Sequence, residues 1–244
     1  MKVIAVIPAR LASTRLARKV LLPIAGQPML ARVYQGVRAS AALLDVIVAT
    51  DSQEILDLCR ERGWHARLTS ASCRSGTERV HEVSQALAAD VYVNVQGDEP
   101  LARAEHLNSL IELMHNAAVQ VGTLMTPCAA ADINNPHAVK VVTDAAGRAL
   151  YFSRATIPYD RDQGGVRYYK HLGFYAYRKP ALDRFVLLPE SSLEQSERLE
   201  QLRFLENGIP IHVAETQFDT IGVDTEDDRR RAEELLSKIG LTER

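Results

Sequence analysis

Four cations, Arg10, Arg15, Arg18 and Lys19, lie within ten positions of one another directly after the aliphatic run "VIAVIP". Like charges at that density repel, so they are either solvated singly or gathered around an anion. The loop also carries Ser13 and Thr14. Guanidinium forks, hydroxyls and an ammonium together suit the oxygens of a polyphosphate. Two carboxylates occupy comparable positions elsewhere: Asp98 in "NVQGDEP" and Asp224 in "IGVDTEDD", each directly after a short apolar stretch. Mg²⁺ is commonly held by one or two carboxylates plus substrate phosphates, so this pair could serve as ligands. The competing reading of each is a turn or a helix cap. Glu99, on the other side of an extended chain from Asp98, reads as structural. In "CRSGTERV", Ser75 and Thr77 can cap a helix, Gly76 admits a ligand closely, and the exposed N–H groups offer donors. Neither G-x-x-x-x-G-K-[ST] nor G-x-G-x-x-G is present, which disfavours a P-loop NTPase and a dinucleotide fold.

These groups need a frame, and the pattern of the chain supplies one. "KVIAVIP" (2–8), "DVIVATD" (45–51) and "VYVNVQ" (91–96) are continuous apolar runs, as expected of strands buried on both faces. Between them, "PMLARVYQGVRAS" has helical periodicity with Pro28 in its first turn. "SQEILDLCRERG" runs from a Ser cap to Gly63, and "GTERVHEVSQALAA" reads as a further helix. Alternation of this kind predicts an α/β fold with a mostly parallel central sheet and helices on both faces. Ligands of such sheets bind beyond the carboxyl ends of the strands, where all three polar clusters fall. The second half predicts strands at 121–128, 138–144, 149–155 and 171–178. One amphipathic helix is expected over "SERLEQLRFLENG", and a final helix capped by Asp224 or Thr225 and closed by Gly240.

The formal charge of −2 offers no broad basic footprint, so neither nucleic acid nor a membrane surface is an expected partner. No stretch approaches the ~20 apolar residues of a membrane span. Cys59, Cys73 and Cys128 are widely spaced and odd in number, which fits reduced thiols in the cytoplasm rather than a disulfide framework or a zinc site.

The motifs "PARLASTRLARK", "VATD", "RSGTERV", "NVQGDEP", "NNPHAVKVV", "ALYFSRATIP", "KHLGFYAY", "RLEQLRFLENG" and "IGVDTEDD" resemble, in order over nearly the whole chain, the 3-deoxy-manno-octulosonate (Kdo) cytidylyltransferases. The resemblance implies a Rossmann-like nucleotidyltransferase domain, usually a homodimer, that joins CTP and Kdo into CMP-Kdo and diphosphate for lipopolysaccharide synthesis. It implies that about 1–130 and 205–244 form the nucleotide-binding core, and about 131–204 a strand-rich sugar-binding and dimerisation region. By the same resemblance Arg10, Arg15 and Lys19 grip the triphosphate, and Pro8, Ala9, Arg74, Ser75 and Gly76 frame the cytidine. Asp98 and Asp224 hold Mg²⁺, Gln96 lies near the sugar, and Arg154, His171, Tyr175, Glu200 and Gln201 bind the sugar acid. Arg15, Lys19, Asp98 and Asp224 form the catalytic group, and no general base is assigned.

Chemistry agrees: a carboxylate-bearing polyol needs a cation such as Arg154 with several hydrogen-bond partners. In a regular strand His171 and Tyr175 share a face. On a continuous helix Glu200 and Gln201 flank Phe204 at the edge of the Leu199–Leu202–Leu205 stripe. Two departures stand out. The family usually has Pro-Gly where this chain has Ala17-Arg18, and the segment between Arg154 and His171 is short. The rival readings are the same chemistry on 8-amino-Kdo or another acidic sugar, a cytidylyltransferase for sialic acid or an isoprenoid precursor, and a catalytically silent CTP sensor.

Overall fold

The computed structural model describes residues 1–11 and 16–238. Ser13, Thr14, Arg15 and the expected stop at Gly240 lie outside them. By its contacts the chain forms two compact units: Met1–Asn108 with Asp219–Arg244, and Ser109–Phe218.

The first unit begins with β1 (Val3–Pro8), buried at every position as its unbroken aliphatic run requires. A two-residue turn joins β2 (Pro23–Ile24) to β3 (Gln27–Pro28), with Ala25 and Gly26 both at positive φ. Then come α1 (Met29–Arg38), β4 (Asp45–Thr50), α2 (Gln53–Glu61), β5 (Ala66–Leu68), α3 (Gly76–Ala86) and β6 (Val91–Asn94). The strands lie in the order β6–β1–β4–β5, all parallel, with Val3 opposite Val91 and Ile4 opposite Asp45. Ser52 and Ser75 cap α2 and α3, their side chains accepting from the N–H of Ile55 and Glu78. Pro28 is the N-cap of α1 rather than a residue of its first turn.

The chain leaves this unit within α4 (Ala104–Leu113) and re-enters it for α8 (Glu226–Lys238). Thr225, not Asp224, caps α8: its hydroxyl accepts from Asp228 N–H, and Asp228 accepts from Thr225 N–H in return. Leu236 and Ala232 of α8 pack with Ile24, Met29, Leu101 and Val223 in one buried cluster.

Gly36 on α1 shows how closely this unit is built. A Cβ there would stand 1.8 Å from the carbonyl oxygen of Ala102. Gly36→Ala should therefore force the two backbones apart, at about 3 kcal/mol, and lower the melting temperature by about 10 °C in a thermal unfolding experiment. An unchanged melting temperature would mean that the helix is not held this closely.

In the second unit β7 (Val121–Pro127) pairs in parallel with β11 (Ile211–Glu215) and antiparallel with β10 (Tyr169–Arg178). Next to β10 lie β8 (Lys140–Thr143) and β9 (Ala149–Ser153), both antiparallel. Three helices, α5 (Lys179–Leu187), α6 (Ser192–Glu197) and α7 (Leu202–Glu206), complete it. The single amphipathic helix expected over "SERLEQLRFLENG" is thus corrected to two. Arg198 takes a left-handed conformation (φ 55°) that ends α6, and Glu200 and Gln201 lie in the turn before α7. A buried ion pair fixes the break: Arg203 donates to both oxygens of Glu194, at 2.7 and 2.5 Å, with its guanidinium 4.3 Å from the Phe185 ring. Among the described residues no helix is long and apolar enough to cross a membrane.

Candidate active site

The carboxyl end of β1 meets those of β4 and β6 through main-chain contacts. Ala9 N–H donates to Ala49 O at 2.9 Å, and Gly97 N–H to Pro8 O at 3.2 Å. A Cβ at Gly97 would stand 2.8 Å from that same oxygen, so only glycine lets the "QGD" turn lie against the end of β1. Above them opens a cavity of about 460 Å³ in the first unit. Its walls bring together Pro8, Ala9, Arg10, Lys19, Ser75, Gly76, Gln96, Asp98 and Asp224, nine residues singled out from sequence. Arg74 stands outside the lining, with its guanidinium on Glu78 Oε1 at 2.8 and 3.0 Å. Arg15 falls outside the described residues.

Lys19 Nζ donates to Asp98 Oδ2 at 2.5 Å and to Asp224 Oδ1 at 2.8 Å. Burial works against the lysine's charge, but Asp98 and Asp224 outweigh it and its pKa is raised, so it remains an ammonium. The two carboxylates converge because their backbones are joined. Val223 N–H donates to Asp98 O at 2.9 Å, and Val223 itself is anchored in the buried cluster under α8. Asp228 accepts from the N–H of Asp224 at 3.2 Å and of Thr225 at 2.9 Å. Glu99 is structural, as its position suggested: it is buried and accepts from the Thr220 hydroxyl at 2.6 Å.

Three lining residues, Val20, Cys73 and Arg79, were not singled out from sequence. Arg79 is buried and donates to Asp51 Oδ2 at 2.5 Å, Thr69 Oγ1 at 2.6 Å and Ser70 O at 3.3 Å. An arginine between the apolar positions of an amphipathic helix, with an aspartate closing the strand in "VATD", was the available signal. Cys73 donates to Glu82 at 3.3 Å, and burial with that carboxylate pushes its thiol up to about 11. It is therefore a protonated, unreactive wall of the cavity.

The remaining five candidates lie in the second unit. His171 and Tyr175 do share a face, with rings 5.5 Å apart, although β10 shifts register between Leu172 and Tyr175. They stand in a column of rings that continues to Phe152 on one side and to Tyr177 and Phe204 on the other. His171 Nε2 meets Thr123 Oγ1 at 3.0 Å, and burial pushes the imidazole down to about 3, so it is neutral. Burial, then Tyr177 and Glu200, hold the Tyr175 phenol well above its usual range. The Tyr175 hydroxyl and the Gln201 amide nitrogen are enclosed without a well-formed hydrogen bond among the described residues, the Thr123 side chain only tempering the rise at Tyr175. Arg154 donates to three main-chain oxygens: Glu197 O at 2.8 Å, Pro136 O at 3.0 Å and Arg198 O at 3.5 Å.

The chain matches the cytidylyltransferase family over residues 4–216. It is 70% identical to a 3-deoxy-manno-octulosonate cytidylyltransferase of Koribacter versatilis over 236 residues, 96% of this chain and 90% of that protein. It is 58% identical to the one from Acidobacterium capsulatum, with 97% of each chain covered. A solved structure of CMP:2-keto-3-deoxy-manno-octonic acid synthetase complexed with CTP superposes with a TM-score of 0.93 at 41% identity, covering 98% of this chain and all of that one. The chain belongs to the 3-deoxy-manno-octulosonate cytidylyltransferase family.

For this cytidylyltransferase, the departure at Ala17-Arg18 has a local answer. Arg18 takes the left-handed conformation (φ 55°) that a glycine adopts freely, and its guanidinium pairs with Glu54. The backbone thus turns into Lys19 without a glycine, at a strain of about 1 kcal/mol.

Proposed function

We propose that this cytidylyltransferase joins CTP to Kdo, giving CMP-Kdo and diphosphate and so activating Kdo for lipopolysaccharide synthesis. The observation that carries the reading is the convergence of Lys19, Asp98 and Asp224 in one cavity with Arg10 and the N-terminus of α3. In the step, the anomeric 2-hydroxyl of Kdo gives up its proton to water as its oxygen bonds in line to the α-phosphorus of CTP, and the α–β bridging P–O bond breaks. Diphosphate leaves with that electron pair. Arg10, Arg15 and Lys19 bind the triphosphate, and Pro8, Ala9, Arg74, Ser75 and Gly76 frame the cytidine. Catalysis is positioning and electrostatics, with no covalent enzyme intermediate.

Asp98 and Asp224 fit Mg²⁺. They are hard oxygen donors on two main-chain segments joined by a hydrogen bond, and both already face one cation. Among the described residues no cluster of three acidic, histidine or cysteine ligands occurs, as suits an ion that completes its shell with water and phosphate oxygens. When bound, Mg²⁺ supplies neutralisation of the charge that develops on the α-phosphate and the leaving diphosphate.

For the sugar acid we assign Gln96, Arg154, His171, Tyr175, Glu200 and Gln201. The unpartnered Tyr175 hydroxyl and Gln201 amide support this, since buried polar groups seek partners and a polyol provides them. His171 contributes as a neutral hydrogen-bonding group. Arg154 contributes through the N–H groups that its three carbonyl contacts leave over. Tyr175→Phe should raise the KM for Kdo about tenfold while leaving the melting temperature unchanged or slightly higher, because no existing bond is lost. A lower melting temperature with unchanged KM would mark Tyr175 as a core residue instead.

We assign the enzyme to the cytoplasm, consistent with three free cysteines. We further assign it as a homodimer, for which the exposed Leu150 (62%), Leu187 (82%) and Tyr159 (85%) of the second unit offer apolar surface. The test of function is initial rates of diphosphate release from CTP and Mg²⁺ with Kdo, 8-amino-Kdo, sialic acid or no sugar. Release should depend on Kdo. Equal rates with sialic acid would overturn the assignment.

A further inference from the structure

The main-chain segments that carry Asp98 and Asp224 are held together. They are tied by the Val223–Asp98 hydrogen bond and by Glu99 on Thr220. Two carboxylates that both reach one ammonium repel each other, and a cation between them offsets that repulsion. Without nucleotide that cation is Lys19, which touches both and is the most enclosed of the three side chains: 12% exposed, against 29% for Asp98 and 43% for Asp224. We propose that Lys19 is the resident counter-ion of the Asp98–Asp224 pair, so that a divalent cation enters only once a nucleotide triphosphate has drawn the lysine away.

This inference rests on the assignment of the pair as the metal ligands. A lysine suits the role because its ammonium is a point charge on a flexible stem, able to pass from carboxylates to phosphate oxygens in the same cavity. A divalent ion arriving first would meet carboxylates that are already paired and a positive charge beside them. A triphosphate arriving first offers Lys19 a stronger set of anions and takes the ammonium off both carboxylates. Nucleotide and metal therefore bind with positive coupling, each tightening the other by the same factor.

The test is titration of the nucleotide-free protein with Mn²⁺, with free ion read by electron paramagnetic resonance. Lys19→Met should bind Mn²⁺ at least tenfold more tightly than the wild type, and Lys19→Gln, which keeps the stem without the charge, should do the same. Lys19→Arg, which keeps the charge, should bind as weakly as the wild type. Adding Asp98→Ala to Lys19→Met should abolish the gain. If both neutral variants fold and bind Mn²⁺ no more tightly than the wild type, the counter-ion role is overturned. In that event the metal assignment still stands wherever Asp98→Ala raises the Mg²⁺ concentration needed for turnover. A tight Mn²⁺ site that survives Asp98→Ala would overturn the metal assignment itself.

Discussion

Asp98→Ala is expected to lower kcat by about 10³-fold, near 4 kcal/mol of transition-state stabilisation, with the fold intact. The side chain faces Lys19 and the cavity, and it is the less exposed of the two carboxylates. Removing it deletes half of the acidic pair that we propose places positive charge against the α-phosphate. Asp224 alone would leave that charge poorly located, and a misplacement of about 1 Å costs on the order of 10²-fold by itself. The fold should survive because the main-chain oxygen of Asp98, which accepts from Val223, is kept. Steady-state rates across a Mg²⁺ series, with circular dichroism melts alongside, check both halves. Near-normal turnover would remove Asp98 from the site.

Lys19→Met should cost a similar factor, distributed differently. In its proposed role Lys19 binds phosphate in the ground state as well as in the transition state, so KM for CTP should rise while kcat falls, and kcat/KM should drop by about 10³-fold. The variant also leaves Asp98 and Asp224 facing one another without their shared ammonium. Its melting temperature in a chelator should therefore lie several degrees below the wild type, at about 1–2 kcal/mol, and recover when Mg²⁺ is added. A loss of activity without this metal-dependent recovery would mean that the lysine serves the phosphates only.

The elements that hold the cavity were legible because each leaves a one-dimensional trace. Buried parallel strands read as unbroken aliphatic runs, and β1, β4 and β6 do so. Ser52 and Ser75 declare helix starts by chemistry alone. Less legible was the convergence of Lys19 with Asp224, 205 positions away, which depends on Val223 being drawn into a distant core. β5 escaped because its residues are largely exposed, so no apolar run marks it. The break at Arg198 escaped for a different reason. The leucine spacing from 199 to 205 continues a helical stripe, and only the buried Arg203–Glu194 pair folds α7 back on α6. Arg79 was overlooked because an arginine on a helix normally faces water, whereas here Asp51 and Thr69 receive it inside the unit.

The most direct test of the central claim is ³¹P nuclear magnetic resonance of one sample containing the enzyme, CTP, Mg²⁺ and Kdo. The account predicts that the three CTP resonances give way to equal amounts of inorganic diphosphate and a single phosphodiester phosphorus, and that omitting Kdo leaves CTP intact. CTP that binds but keeps all three resonances in the presence of Kdo would contradict it, and would make the chain a nucleotide-binding protein without transferase activity.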